Sequence, residues 1–186
     1  MNIFFLSRHP GRAAKRLCNK HVIKMILEST QLLYTAHHFD PDVVWVGPLK
    51  VYKKAHQNHP MARWTRASWK NYRWLWKHAM AMTREYTRRY GKTHACVPHL
   101  ERLRHPPQNV RLHRRREQYD FELAVVNAPQ GCLGAPLCMG DLRDVCQVET
   151  PEGVDLVGSY ENYYAWKRGT IDMSWEVNVI EEEDKN

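Results

Sequence analysis

No stretch of this 186-residue chain approaches the roughly 18 consecutive apolar residues that a membrane-crossing helix requires. The apolar start Ile3-Phe4-Phe5-Leu6 breaks at Arg8-His9-Pro10, too early for the h-region of a secretory signal. Cysteine is scarce: Cys18, Cys96, Cys132, Cys138 and Cys146 are odd in number and irregularly spaced. That argues against a secreted disulfide framework and for reduced thiols, so a cytoplasmic protein is expected. A Gly-rich phosphate loop, a GxSxG elbow and a redox CxxC are all missing, and Gly131-Cys132-Leu133-Gly134 lacks a strand–helix context. His94, Cys96 and His99 do not follow a recognised zinc spacing, nor do the three late cysteines, so neither a metal nor a cofactor is expected.

The most telling shortage is of acid. Residues 1–116 hold 24 Lys/Arg against 5 Asp/Glu, a net +19, whereas residues 117–186 hold 4 against 15, a net −11. A basic body of this size attracts a polyanion, and nucleic acid is the first candidate. The plain alternative is a basic surface that only confers solubility. With 43% hydrophobic and 11% aromatic residues the chain has the material for a core, so disorder throughout is excluded.

Apolar periodicity predicts long helices and little strand, a mainly α, compact single-domain fold spanning residues 1–180 with an acidic tail at 181–186. Ile3–Leu6 reads as a short strand or an extended arm. One helix is expected from Pro10-Gly11 to about His37, ended by Asp40-Pro41-Asp42. A short strand is possible at Val43–Val46. A second long helix is expected from His59-Pro60 to Tyr90-Gly91, and a third around Pro98–Arg104. Arg111–Glu117 is a basic run, residues 127–158 read as a long Gly/Pro-containing loop, and a short helix is expected over Leu156–Arg168.

The first helix carries polar residues where an apolar face should be. His21 and Glu28 lie seven residues apart, about 20° around a helix of roughly 100° per residue, with Met25 and Leu32 flanking Glu28 on the same stripe. Lys24 and Gln31 form the neighbouring row. A carboxylate taken from water is paired or functional, so Glu28 is read as an acid/base or cation-stabilising group, or else as an ion pair with Lys24 at i, i+4. On the second helix Asn71 and His78 interrupt an aromatic face. Arg63, Arg66, Lys70 and Arg73 interleave there with Trp64, Trp69, Trp74 and Trp76. That pattern suits phosphate neutralisation and base stacking, or a tryptophan core with its cations facing solvent.

The run from Cys18 to Glu28, with its His and Glu seven residues apart, resembles the helix of pyrimidine-dimer DNA glycosylases of the phage endonuclease V type. The segment Tyr160-Glu161-Asn162-Tyr163-Tyr164-Ala165-Trp166-Lys167 is similar to that family's aromatic, lysine-containing end. Asn58-His59-Pro60 and Asn71–Leu75 also look like proteins of viral and phage genomes. The likeness spans much of the chain, with a longer insertion here at 91–158. It implies an endonuclease V-like helical fold that binds duplex DNA and extrudes a base. An N-terminal α-amine then forms a Schiff base at C1′ with the help of the helix glutamate, and elimination cleaves the strand. Asn2 stands where the family has a small residue, and is a poor substrate for removal of Met1. Leu27 and Gln31 stand where it has arginines.

The expectation is therefore a DNA glycosylase/lyase-like enzyme with Glu28, His21 and Lys24 at its centre, Lys24 being the reserve nucleophile. Lys20, Gln31, Asn58, His59, Arg63, Arg66, Lys70, Asn71, Arg73, Tyr163, Tyr164, Trp166 and Lys167 are expected to meet DNA. Two alternatives stay open: a transferase that modifies a pyrimidine in viral DNA, using residues 127–158 for a second pocket, and a non-catalytic nucleic-acid binder.

Overall fold

The computed structural model describes residues 2–112 and 125–175. The expected tail at 181–186 and most of the basic run at 111–117 lie outside the described residues. Among the described residues eight α-helices dominate: α1 (Pro10–Arg16), α2 (Asn19–His37), α3 (Pro60–Ala67), α4 (Trp69–Tyr90), α5 (Val97–Arg102), α6 (Gln108–Leu112), α7 (Arg143–Cys146) and α8 (Leu156–Arg168). Three short strands, β1 (Val125–Val126), β2 (Val148–Thr150) and β3 (Gly153–Asp155), form a sheet in the order β1-β3-β2. β1 runs parallel to β3, and β2 antiparallel to it. The fold is mainly α. No helix among the described residues is long and apolar enough to cross a membrane.

Both long helices expected from periodicity are broken once. Leu17 and Cys18 turn extended between α1 and α2, with ψ of 139° and 164°. Tertiary partners take over their backbone groups: Arg89 Nη1 donates to the Leu17 carbonyl at 2.8 Å, and the Cys18 N–H donates to the Tyr164 hydroxyl at 2.7 Å. Arg89 is itself 1% exposed, and its charge is met by Glu85 and by the carbonyls of Leu17 and Lys15. The second break falls at Ser68, extended at φ −152° and ψ 155°, whose hydroxyl accepts from the Asn71 N–H and so caps α4. α4 ends at Gly91, where φ of +63° provides the left-handed cap and the N–H returns to the Thr87 carbonyl.

Elsewhere the structure corrects two further expectations. The loop at 127–158 contains β2, β3, a 3-10 turn at 140–142 and α7. Residues 43–46 form no strand; Val44 and Val46 are exposed and lack ladder partners. The start of α8 matches the sequence reading, fixed by the Asp155 side chain accepting from the Gly158 N–H at 3.0 Å.

α4 packs against α1, α2, α3 and α5, and the N-terminal arm threads beneath them. Ile3, Phe4, Phe5 and Leu6 are at most 4% exposed without belonging to any strand. Phe5 meets Trp64, Trp74 and Tyr160, while Phe4 stacks on His21 at 4.5 Å and meets Tyr160, Tyr163 and Tyr164. Four apolar side chains buried at about 1.5–3 kcal/mol each fix the arm, and hence fix where Asn2 must stand.

Candidate active site

Glu28 projects from the middle of α2 toward the start of the chain, its side chain 13% exposed. The backbone nitrogen of Asn2 donates to Glu28 Oε2 at 3.1 Å, and Lys24 Nζ lies 3.5 Å from Oε1. The i, i+4 pair thus exists, and the same carboxylate also holds the nitrogen of residue 2.

Asn2 is clamped from three sides. Its Nδ2 donates to the Cys138 carbonyl at 2.9 Å, and its Oδ1 accepts from the Ile3 N–H at 2.7 Å and from the Tyr160 hydroxyl at 3.1 Å. Tyr160 is fully buried, contacts the Pro136 carbonyl, and accepts from the Cys138 N–H. Burial holds its hydroxyl protonated, well above the ordinary range. α8 and the 136–138 segment therefore set the position of residue 2 as firmly as α2 does. The sequence reading had Asn2 only as the residue after Met1 and Tyr160 only as an aromatic, and it missed Cys138; a polar residue next to a buried apolar arm was the available signal for the Asn2 side chain.

His59 caps α3, its Nδ1 accepting from the Met61 N–H at 3.1 Å. Burial lowers its pKa, and the charge of Glu28 works in the opposite direction, which puts His59 within electrostatic reach of the carboxylate. Asn58 is exposed beside it. His56 opens this turn at φ +48°, a left-handed conformation unusual for a residue with a Cβ, and Arg66 Nη1 braces the turn by donating to the Gln57 carbonyl at 2.7 Å.

His21 faces the same way as Glu28 but lies under the arm. It is 8% exposed, stacked on Phe4, with Nδ1 2.9 Å from the Tyr164 hydroxyl. Burial, with Lys167 and Lys24 nearby, lowers its pKa to about 4. It is a neutral imidazole at pH 7 and supports the arm. Tyr163 and Tyr164 are buried behind it; Lys167 Nζ sits 4.8 Å over the Tyr163 ring, and Trp166 is exposed.

The other expected DNA contacts fall in separate places. Lys20 and Gln31 lie along the outer edge of α2, Lys20 paired with Asp172 at 3.5 Å. Arg63 is exposed on α3. Lys70 and Arg73 line a cleft away from Glu28. Asn71 is fully buried: its side chain donates to the Trp64 carbonyl and accepts from Ser68 and the Leu133 N–H. Its carboxamide is spent on holding the 133 region to α4. Trp64 and Trp74 are core, whereas Trp69 is 48% exposed. No group of three or more His, Cys, Asp or Glu is gathered for a metal among the described residues.

Residues 1–97 match the sequence model of the pyrimidine dimer DNA glycosylases. The chain belongs to that family. Its activity is of the DNA-repair glycosylase class, and its substrate is DNA. The matched stretch contains Asn2, His21, Lys24, Glu28 and His59, but not Tyr160 or Cys138. No curated protein and no solved structure matches the chain.

Proposed function

We propose that this glycosylase excises a pyrimidine base from duplex DNA through an imine formed at the nitrogen of residue 2, and then cleaves the strand as a lyase. The observation that carries the reading is the 3.1 Å hydrogen bond from that nitrogen to Glu28. Behind Met1 this nitrogen is a peptide amide; the reading requires Met1 to be removed in spite of Asn2, which turns the nitrogen into a primary amine held against the carboxylate. Attack on C1′ of an extruded nucleotide breaks the glycosidic bond, and the base departs with its electron pair and a proton. Loss of an amine proton and opening of the sugar leave the imine. Removal of a C2′ proton then expels the 3′ phosphate, and water releases the enzyme. Glu28 is the group placed to accept and return these protons and to stabilise the iminium charge.

Lys24 fits a supporting role. Its side chain is 70% exposed, whereas an amine activated as a nucleophile is desolvated or set beside other cations. On this reading His59 and Asn58 would meet the flanking sugar-phosphate, and the remaining DNA contacts would come from Lys20, Gln31, Arg63, Trp166 and Lys167. His21, Tyr163 and Tyr164 act as positioning residues through the arm.

The test is strand incision of an abasic-site duplex and of an ultraviolet-irradiated duplex. Wild-type protein is expected to incise both, and Glu28→Gln to stop incision while retaining DNA binding. Incision that survives Glu28→Gln would overturn the assignment.

A further inference from the structure

Apart from the Glu28 centre, the molecule has a differently charged recess. A cleft of about 950 Å³ opens between α1, the first turns of α4 and the start of α8. It shares none of Asn2, Lys24, Glu28, His59 or Tyr160. The two sites lie at opposite ends of the buried arm, Asn2 at one and Ser7-Arg8 at the other, joined by at most ~18 Å of chain.

Arg12 on α1 and Lys70, Arg73 and Lys77 on α4 converge on this cleft. Among the described residues none of the four has an ion-pair partner. The two acids at the rim are committed elsewhere. Asp155 caps α8 and accepts from Asn127 Nδ2 at 3.0 Å, and Glu161 pairs with Arg16. Four cations facing one recess repel each other, a cost that a bound anion removes. Trp69 supplies a flat apolar face 48% open to solvent beside the cations, and the volume is that of a small-ligand pocket. The rim is held in an unusual conformation: Asn127, at φ +54°, is one of two non-glycine residues with positive φ among the described residues.

We propose that this cleft is a second nucleotide site, with Arg12, Arg73 and Lys77 holding a phosphate group and Trp69 stacking on the base. The nucleotide comes either free or as a unit of a DNA strand that continues past the Glu28 centre. The site does not depend on the imine reading, and each can fail without the other.

Calorimetric titration of the full chain with thymidine 5′-triphosphate, inorganic tripolyphosphate and a 5′-phosphorylated oligothymidylate tests this. The nucleotide is expected to bind more tightly than tripolyphosphate, a preference that Trp69→Ala removes. Arg12→Ala/Lys77→Ala, both at exposed positions, is expected to weaken binding at least tenfold, and Glu28→Gln to bind as wild type. Binding of the oligonucleotide but not the triphosphate, with the same loss in the double variant, identifies the strand as the source. No binding of either, undiminished binding in the double variant, or loss of binding in Glu28→Gln overturns the proposal.

Discussion

The Glu28 centre and the cationic cleft stand at the two ends of one buried arm and are built on opposite terms. At Glu28 the groups are few, mostly buried and hydrogen-bonded to the backbone: Asn2 alone is tied to Glu28, Cys138 and Tyr160. In the cleft the groups are mostly cationic and exposed, and the two acids at its rim, Asp155 and Glu161, are engaged by the α8 cap and by Arg16. Fixed geometry is what a reaction at a single carbon requires, because a small misplacement of the attacking atom costs rate steeply. Unneutralised charge is what binding of phosphate requires, and it tolerates mobile side chains. On the two readings proposed above, chemistry belongs to one end of the arm and affinity to the other.

The change that should break this division most sharply is a two-residue extension ahead of Asn2. It converts the amine into an amide, and incision is expected to fall by about 10²–10⁴-fold, the range lost with an essential catalytic group. Thermal stability and nucleotide binding at the cleft should stay unchanged, as read by melting and calorimetry. An extended chain that still incises would move the nucleophile elsewhere.

Acid should weaken both ends together. His21 beneath the Glu28 centre and His78 beneath the cleft, bonded to the Pro10 carbonyl and stacked on Trp74, are both lowered to about 4, chiefly by burial. Below pH 6.5 the unfolded chain takes up protons that the folded chain refuses, so stability falls as pH drops from 6.5 toward 4. The loss is of order 2 kcal/mol for each histidine. Urea melts at pH 7.5 and 4.5 measure it, and His78→Gln should flatten the dependence.

These two histidines also show where the sequence was legible. Periodicity put His21 with Glu28 and His78 with the tryptophans, and both placements hold. What each side chain faces was decided by residues far along the chain: Phe4 and Tyr164 cover His21, and Pro10 meets His78. The helix breaks at Leu17-Cys18 and Ser68 were hidden for a related reason. Arg89 and Tyr164 bind the backbone at the first, and no local pattern encodes partners more than 70 residues away. Asn71 looked like an interface residue because it is polar on an aromatic face, but its partners at 64, 68 and 133 are internal.

A smaller effect sharpens the division further. Tyr160→Phe keeps the ring in the core and removes the hydroxyl that holds Asn2. At about 1 kcal/mol for one hydrogen bond, kcat should drop about fivefold with KM for DNA unchanged. An equal change in KM would make Tyr160 merely structural. The smallest effect belongs to the cleft: Lys70→Ala should lower the slope of log affinity for DNA against log salt by about 0.9, one phosphate's worth, while Tyr160→Phe leaves the slope alone.

The most direct test of the central claim is the mass of the intact protein after incubation with abasic-site duplex DNA and borohydride. The account predicts a chain beginning at Asn2, with one DNA strand covalently attached and mapped to its N-terminal nitrogen. A chain that retains Met1, an adduct mapped to Lys24, or no adduct on a chain that begins at Asn2 would contradict it.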